Sequence, residues 1–204
     1  MLYLLLRIGI HGGCSALLLW LIYTLGYGDI SAVFAADPGK ELIHFLGLTA
    51  LYLFSALFLL RILTQLYGNA RLRSFHRDLG LWALFWLLLH LVSYLFFELA
   101  FDYRLFFTEI ATRPYLLIGS LALLLFLAAA VSSLPYLRRK MAKNWFSLHQ
   151  LSYLAIILGI IHYYWSVKGI TLQPLFFIAV AVAIIFFKAF AHLFSNKKPP
   201  TLRV

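Results

Sequence analysis

The sequence predicts an all-α polytopic membrane protein that folds as a bundle of six transmembrane helices. Of its 204 residues, 64% are hydrophobic and only 12% are charged, a composition typical of membrane proteins rather than soluble ones. The apolar runs are about 20 residues long, which is the length an α-helix needs to cross the hydrocarbon core of a bilayer. These runs are continuous and do not alternate with polar residues, which excludes a transmembrane β-barrel.

Six spans follow one another along the chain. We expect them at about 7–27, 43–63, 79–101, 115–134, 146–165 and 174–194, with ends uncertain by about 2–4 residues. The first span is predicted to be retained rather than cleaved as a signal peptide, because no small-x-small cleavage site follows it and five more spans do. Residues 1–204 are therefore expected to form a single transmembrane domain.

Prolines mark the ends of several spans. Asp37-Pro38 precedes span two and Thr112-Arg113-Pro114 precedes span four, so each places a proline near the first helical position. Pro135 is predicted to end span four, and Pro174 is predicted to open span six.

The charged residues sort by side of the membrane. Of the 17 lysines and arginines, 13 lie near the termini, in the segments that follow spans two and four, or at the adjoining span ends. The other four are Lys40, Arg104, Arg113 and Lys168, and they share their side with six of the seven acids. The positive-inside rule then predicts that both termini are cytoplasmic. The net charge of +10 is thus a topology signal that matches anionic lipid head groups, not a nucleic-acid surface.

Four histidines, in spans three and five and in the basic segment just before span three, form the candidate site. An ionisable side chain inside a membrane span indicates function; His76 and His90 are 14 residues apart, and His149 and His162 are 13 apart. If the two spans run side by side, His90 faces His162 as an outer pair and His76 faces His149 as an inner pair. At 1.5 Å per residue the two levels are about 20 Å apart.

Paired imidazoles across an apolar gap suit a flat prosthetic group that is held from both sides. Histidine is a common axial ligand of haem iron, so we expect one or two b haems, with His90 and His162 binding the outer iron. His149 and His76 are the candidate ligands of an inner iron. Two histidine ligands leave no open position on the iron, which favours electron transfer over oxygen activation.

The helical wheel supports one of these spacings better than the other. Fourteen residues bring His76 and His90 to within about 40° of one another on an ideal helix, whereas thirteen leave His149 and His162 about 140° apart. We therefore expect span five either to kink or tighten, with Gly159 as the candidate position, or to hold its two haems at different tilts.

The remaining histidines and motifs indicate no competing chemistry. His11, His44 and His192 are interpreted as interior or interfacial polar residues, although His44 could also contact a haem propionate or a quinone. Cys14 is the single cysteine, which excludes an internal disulfide and a thiolate metal cluster. A proton-coupled transporter that uses the histidines as a relay stays open as an alternative, as does a stand-alone ferric or quinone reductase.

The histidine spacing resembles the ferric reductase-like transmembrane superfamily, which includes the NADPH oxidases and holds two stacked b haems between its third and fifth helices. Local segments are similar to those of one of its families, MsrQ (formerly YedZ), the haem-binding membrane subunits of the bacterial periplasmic methionine sulfoxide reductase system. These segments are 36–51, Leu79–Trp82, Leu89–Tyr94, Thr112–Tyr115 and 161–168. The resemblance implies a six-helix bundle of the ferric reductase and NADPH oxidase type.

The resemblance also implies a role. Such a subunit passes electrons across the inner membrane to MsrP, a periplasmic molybdopterin enzyme that reduces oxidised methionine in proteins, and is not itself the enzyme. The electrons would come from a cytoplasmic flavin reductase or from the quinone pool, and FMN is associated with the family. His90 and His162 match the family's haem ligands and His149 its third intramembrane histidine. The family usually carries arginine at the position of His76, so the second ligand of an inner haem stays open.

Overall fold

The computed structural model describes residues 2–34, 37–68, 73–167 and 172–195. Within these ranges the chain is helical apart from short turns, and the predicted all-α fold class is confirmed. The ten helices of this described part are α1 (Leu2–Tyr27), α2 (Ile30–Val33), α3 (Pro38–Tyr67), α4 (Arg73–Phe97), α5 (Tyr103–Thr112), α6 (Pro114–Ser132), α7 (Pro135–Met141), α8 (Lys143–Gln150), α9 (Ser152–Ser166) and α10 (Leu172–Ser195).

Six helical segments in the described part are long and apolar enough to cross a membrane, as predicted. They are Leu4–Tyr27, Pro38–Tyr67, Phe75–Phe97, Pro114–Ser132, Lys143–Ser166 and Leu172–Phe190. We call the end of the bundle that carries residues 28–34 and 98–113 the outer end, and the opposite end, with 133–142, the inner end, following the predicted topology.

The span ends follow the predicted turn chemistry. The side chain of Asp37 caps α3 by accepting a hydrogen bond from the Lys40 backbone N–H at 3.2 Å, and its carboxylate also accepts one from the Lys40 ammonium at 2.7 Å. That second bond lowers the pKa of the Asp37 carboxyl below its usual value. Gly68 ends α3 in the left-handed conformation, with φ of 66°, which glycine adopts without a steric cost.

Several predicted span ends are corrected. Span two begins at Pro38 rather than near residue 43, and span three begins at Arg73 rather than near residue 79. Span three ends at Phe97 rather than near residue 101, because Ala100 and Phe101 adopt positive φ and turn the chain toward α5. Span five consists of α8 and α9 instead of one helix.

The bundle packs around two apolar clusters. The first lies where α3, α9 and α10 meet and includes the fully buried Phe58, Ile156 and Phe177. The second lies between α1, α3 and α4 and includes Leu21, Leu46 and Trp86. Large apolar side chains also cover the outside of the bundle, as expected of a protein whose solvent is lipid.

Helix α1 lies at the edge of the bundle and is attached to α4 by a polar contact. The Arg7 guanidinium donates to both carboxylate oxygens of Asp78, from Nε to Oδ2 at 2.8 Å and from Nη2 to Oδ1 at 3.2 Å. His11 Nε2 lies 3.7 Å from the same Oδ2, and the Trp82 indole N–H donates to His11 Nδ1 at 3.0 Å. Of the seven aspartates and glutamates in the chain, Asp78 is the one that does not lie on the predicted outer side.

Candidate haem site

His90 on α4 and His162 on α9 face one another in the bundle interior. Their ring centroids are 6.3 Å apart, and the ring planes cross at 72°. The structure therefore brings the predicted outer pair together.

Each of these rings is held by a backbone carbonyl of a neighbouring helix. His90 Nδ1 lies 2.9 Å from the Ile43 carbonyl oxygen on α3, and His162 Nδ1 lies 2.7 Å from the Tyr115 carbonyl oxygen on α6. A carbonyl only accepts, so Nδ1 carries the hydrogen and donates it. Nε2 is then the unprotonated nitrogen, which is the form in which a neutral imidazole binds a metal.

The separation of the two rings fits one iron atom between them. A metal–imidazole bond of about 2.0–2.1 Å, with about 1.2 Å from the nitrogen to the ring centre, puts two rings on opposite sides of one metal ion about 6.4 Å apart, centroid to centroid. The observed separation of 6.3 Å matches this value, so the residues present fit the axial ligand pair of a haem.

Glycines lie directly under both rings. A Cβ built on Gly47 of α3 would lie 2.9 Å from His90 Nδ1, and one built on Gly119 of α6 would lie 2.6 Å from His162 Nδ1. Each glycine is four residues after the residue whose carbonyl holds that ring. The two imidazoles therefore rest on bare helix backbone.

A constant offset of 72 residues relates the two halves of the site. The residue numbers of the two carbonyl-bearing residues, of the two glycines and of the two histidines each differ by 72. The same difference relates two pairs of buried alanines and one pair of stacked phenylalanines. Phe54 and Phe126 stack on one another with centroids 3.9 Å apart, as His90 and His162 face one another. The related pairs are Ile43 and Tyr115, Gly47 and Gly119, Ala50 and Ala122, Phe54 and Phe126, Ala83 and Ala155, and His90 and His162.

The inner histidines are placed differently. His149, on α8, stacks on Trp145 with centroids 4.9 Å apart and planes at 19°, and the Arg138 guanidinium lies 4.4 Å from the centre of the Trp145 ring. His149 Nδ1 is buried without a hydrogen-bond partner in the described part of the chain. His76 shares α4 with His90. The pairing of His76 with His149 across an inner haem stays a prediction.

The irregularity predicted in span five is present, but the position suggested for it was wrong. Gly159 lies within the unbroken helix α9. The tightening occurs at Leu151, between α8 and α9, where the backbone N–H bonds to the Leu148 carbonyl at 3.0 Å, three residues back instead of four. A three-residue turn rotates the chain more per residue than an α-helix does, which moves His149 toward the face of His162.

The other histidines lie away from the facing pair. His44 approaches the Tyr163 ring, with centroids 5.7 Å apart, and His11 belongs to the contact between α1 and α4. The side chain of His192 is outside the described residues.

Sequence reasoning missed the two glycines and the two carbonyls. A carbonyl leaves no trace in the sequence, because every residue carries one. The 72-residue offset was the available signal, since it superposes both histidines and both glycines.

Comparison with known proteins gives two kinds of match. Residues 46–160 match the family model described as ferric reductase like transmembrane component. Three of the similar proteins are each described as protein-methionine-sulfoxide reductase heme-binding subunit MsrQ. The protein from Pasteurella multocida is 43% identical over 181 residues, which cover 89% of this chain and 87% of the relative. That from Pectobacterium carotovorum is 39% identical over 184 residues, 90% of each chain, and that from Cronobacter sakazakii is 38% identical over 181 residues, 88% of each.

Proposed function

The chain belongs to the MsrQ family of heme-binding subunits, within the ferric reductase-like transmembrane proteins, and on that premise we propose that it is a b-type cytochrome of the bacterial inner membrane. In this proposal it carries electrons from the cytoplasmic side to the periplasmic enzyme MsrP, and both of its termini are cytoplasmic. The whole chain acts as one transmembrane haem-binding domain.

The observation that carries the proposal is the facing pair His90 and His162. Both rings are partly buried, both are bonded through Nδ1 to a carbonyl, and their separation fits bis-imidazole iron. A bound haem would supply one-electron chemistry. The chain would supply the two axial nitrogens, hold their tautomers and exclude water from the site.

A second haem is proposed at the inner level. His149 is the first candidate ligand, supported by its buried Nδ1, which has no hydrogen-bond partner among the described residues. His76 is the candidate on α4, where the family usually carries arginine. FMN is proposed as a further cofactor at the inner end, next to the electron donor, which is a flavin reductase or a quinone.

The outer end supports transfer to a separate protein instead of catalysis in place. Helix α5 lies there between α4 and α6, and its aromatic side chains Tyr103 and Phe107 are exposed. The Arg113 guanidinium and the Glu109 carboxylate form an ion pair at 2.5 Å. Reduction of methionine sulfoxide would then take place on the docked partner.

The test of the proposal is an absorption and EPR spectrum of the protein purified with ample haem. We expect a red protein with a low-spin, bis-imidazole b-type spectrum. Nearly perpendicular imidazole planes, as the 72° angle gives, should produce a highly anisotropic EPR signal. A colourless preparation would refute the cytochrome and would favour the transporter alternative.

Single substitutions assign the ligands. His90→Ala and His162→Ala should each abolish the outer haem, because each removes one axial bond, while His11→Ala is the matched control on a histidine outside the facing pair. His149→Ala should change an inner haem alone. Full haem content in His90→Ala or His162→Ala would remove that residue from the site.

The proposed docking of the electron donor is tested by reversing the charge of basic residues at the inner end. The segment 138–140 carries three consecutive basic residues at the inner end, and an anionic donor would be steered toward them in a salt-dependent way. Arg138 packs on Trp145 beside His149, so reversing it would also disturb the candidate ligand. Reversal of Arg139 and Lys140 alone should slow haem reduction by the donor in stopped flow at low salt and leave transfer to MsrP unchanged. Wild-type rates at low and high salt would show that the segment serves topology only.

A further inference from the structure

We infer that Gly47 and Gly119 are positioning residues for the two axial histidines, each giving the imidazole a seat on bare backbone that fixes its tautomer and its direction. This inference rests on the proposed haem function and deepens it. It assigns a role to two residues of helices α3 and α6, which supply no haem ligand themselves.

The geometry explains why glycine stands four residues after the carbonyl. In an α-helix the carbonyl of residue i points along the axis toward residue i+4. A side chain from another helix that donates to this carbonyl must therefore pass over the Cα of residue i+4. His90 passes over Gly47 to reach Ile43, and His162 passes over Gly119 to reach Tyr115.

The space over each glycine is already filled by the ring. A Cβ on Gly119 would lie 2.6, 2.8 and 2.9 Å from three atoms of His162, and a Cβ on Gly47 would lie 2.9, 3.0 and 3.5 Å from three atoms of His90. Ordinary contact begins at 3.4 Å, so the closest ring atom would have to move by about 0.8 Å over Gly119 and about 0.5 Å over Gly47 if the ring alone gave way. Such a movement would stretch or break hydrogen bonds of 2.7 and 2.9 Å.

The other glycines in the described part of the chain meet no histidine. Gly159, on the same helix as His162, has only Leu51 within reach, at 3.8 Å, and Gly9, Gly12 and Gly13 on α1 have open space. General helix flexibility or close helix packing therefore does not account for Gly47 and Gly119 as a pair. Their shared property is the imidazole seated on each.

Displacing the ring acts on the iron through the ligand. The Nδ1–H to carbonyl bond keeps Nε2 unprotonated and so able to bind a haem iron, and loss of such an outer partner typically lowers metal affinity by about 10–100-fold. An alanine methyl under the ring would remove that bond without removing the ligand atom. The signature is thus a haem that is bound more weakly and in an altered ligand field.

The experiment compares Gly119→Ala, Gly47→Ala and the control Gly159→Ala in the full-length, haem-loaded protein. We expect haem affinity to fall by about 10-fold or more in Gly119→Ala, with a changed low-spin EPR signal and a shifted midpoint potential. Gly47→Ala should show the same changes in smaller measure, and Gly159→Ala should match the wild type. If Gly119→Ala fails to fold, Gly47→Ala, with its smaller clash, decides the question. Wild-type affinity, EPR signal and potential in the alanine variants that fold would overturn the inference.

A second measurement separates this inference from the proposed function. Nitrogen NMR of labelled histidine in the haem-free protein reports which ring nitrogen carries the hydrogen. We expect His90 and His162 to be protonated at Nδ1 in the wild type and in Gly159→Ala, and the bonded Nδ1–H signal of His162 to shift or vanish in Gly119→Ala. If the wild type binds no haem, the cytochrome proposal fails, and this NMR comparison still decides whether the glycines position the rings. Unchanged histidine signals in both glycine variants would refute that role.

Discussion

The contact between Arg7 and Asp78 predicts an asymmetric response to mutation. The Asp78 side chain is 6% exposed, whereas that of Arg7 is 53% exposed. Arg7→Met strands a buried carboxylate, and breaking a buried pair in this way costs about 3–5 kcal/mol. His11 remains 3.7 Å from that carboxylate and offsets part of the loss, so we expect about 2–3 kcal/mol.

Asp78→Asn leaves the charge on the exposed partner instead. Arg7 can turn to water or to lipid head groups, as long basic side chains do near the ends of membrane helices. Loss of such an exposed pair costs about 0–1 kcal/mol. The double variant should be close in stability to Asp78→Asn alone, because it no longer contains a stranded charge.

The assay is a double-mutant cycle on the free energy of unfolding, measured by SDS titration in mixed micelles. We expect Arg7→Met to be the least stable of the three variants. The coupling energy should be about 2–3 kcal/mol, the whole cost of Arg7→Met, because the double variant matches Asp78→Asn. If Arg7→Met were no more destabilising than Asp78→Asn, the burial argument would be refuted, and the contact would be an ordinary surface ion pair.

Two further predictions concern the packing and the start of α3. Phe126→Ala and Phe54→Ala should each lower stability by about 1–3 kcal/mol, less than in a soluble core because lipid is as apolar as the side chain. The two losses should be similar because the rings are equivalent members of one stack. A large difference between the variants in SDS titration would contradict that equivalence. Asp37→Ala should lower the thermal unfolding temperature at neutral pH by removing the cap on Lys40. The pKa of Asp37 is lowered in the folded state, so the stability that its carboxylate contributes is present above the unfolded pKa and is lost as the pH falls through the folded pKa. The unfolding temperatures of the variant and the wild type should therefore converge in acid. A constant difference in a series of thermal melts from neutral to acidic pH would argue against the cap.

The spans were predictable because they depend on composition over long windows. Continuous apolar runs identified six helices, and Asp37 with Pro38 marked the start of α3. The proximity of His90 and His162 was predictable for a related reason, since an isolated imidazole in an apolar span requires a partner.

The remaining features depend on contacts between helices, which cannot be predicted from the sequence of each helix taken alone. The helical wheel predicted an irregularity between His149 and His162 and could not place it, because Leu151 has no residue-type signal of a break. The contact of Asp78 with Arg7 joins residues 71 positions apart, and no rule of local spacing predicts it. Helix propensities rank glycine as unfavourable at positions such as Gly47 and Gly119. The role of these glycines can be identified only once the structure shows a ring from another helix lying on each of them.

The repeated half-site has a consequence for biogenesis. Helices α3 and α4 form one unit of carbonyl, glycine and imidazole, and α6 with α9 forms the other, 72 residues later. Under the proposed function, a nascent chain that has inserted only the first unit holds a single outer imidazole and cannot bind that iron from both sides. Stable loading of the outer cofactor must wait until α9 has entered the membrane and docked on α6. Haem retention would then report that assembly is complete, and a chain truncated before residue 162 would reach the membrane uncoloured at the outer site.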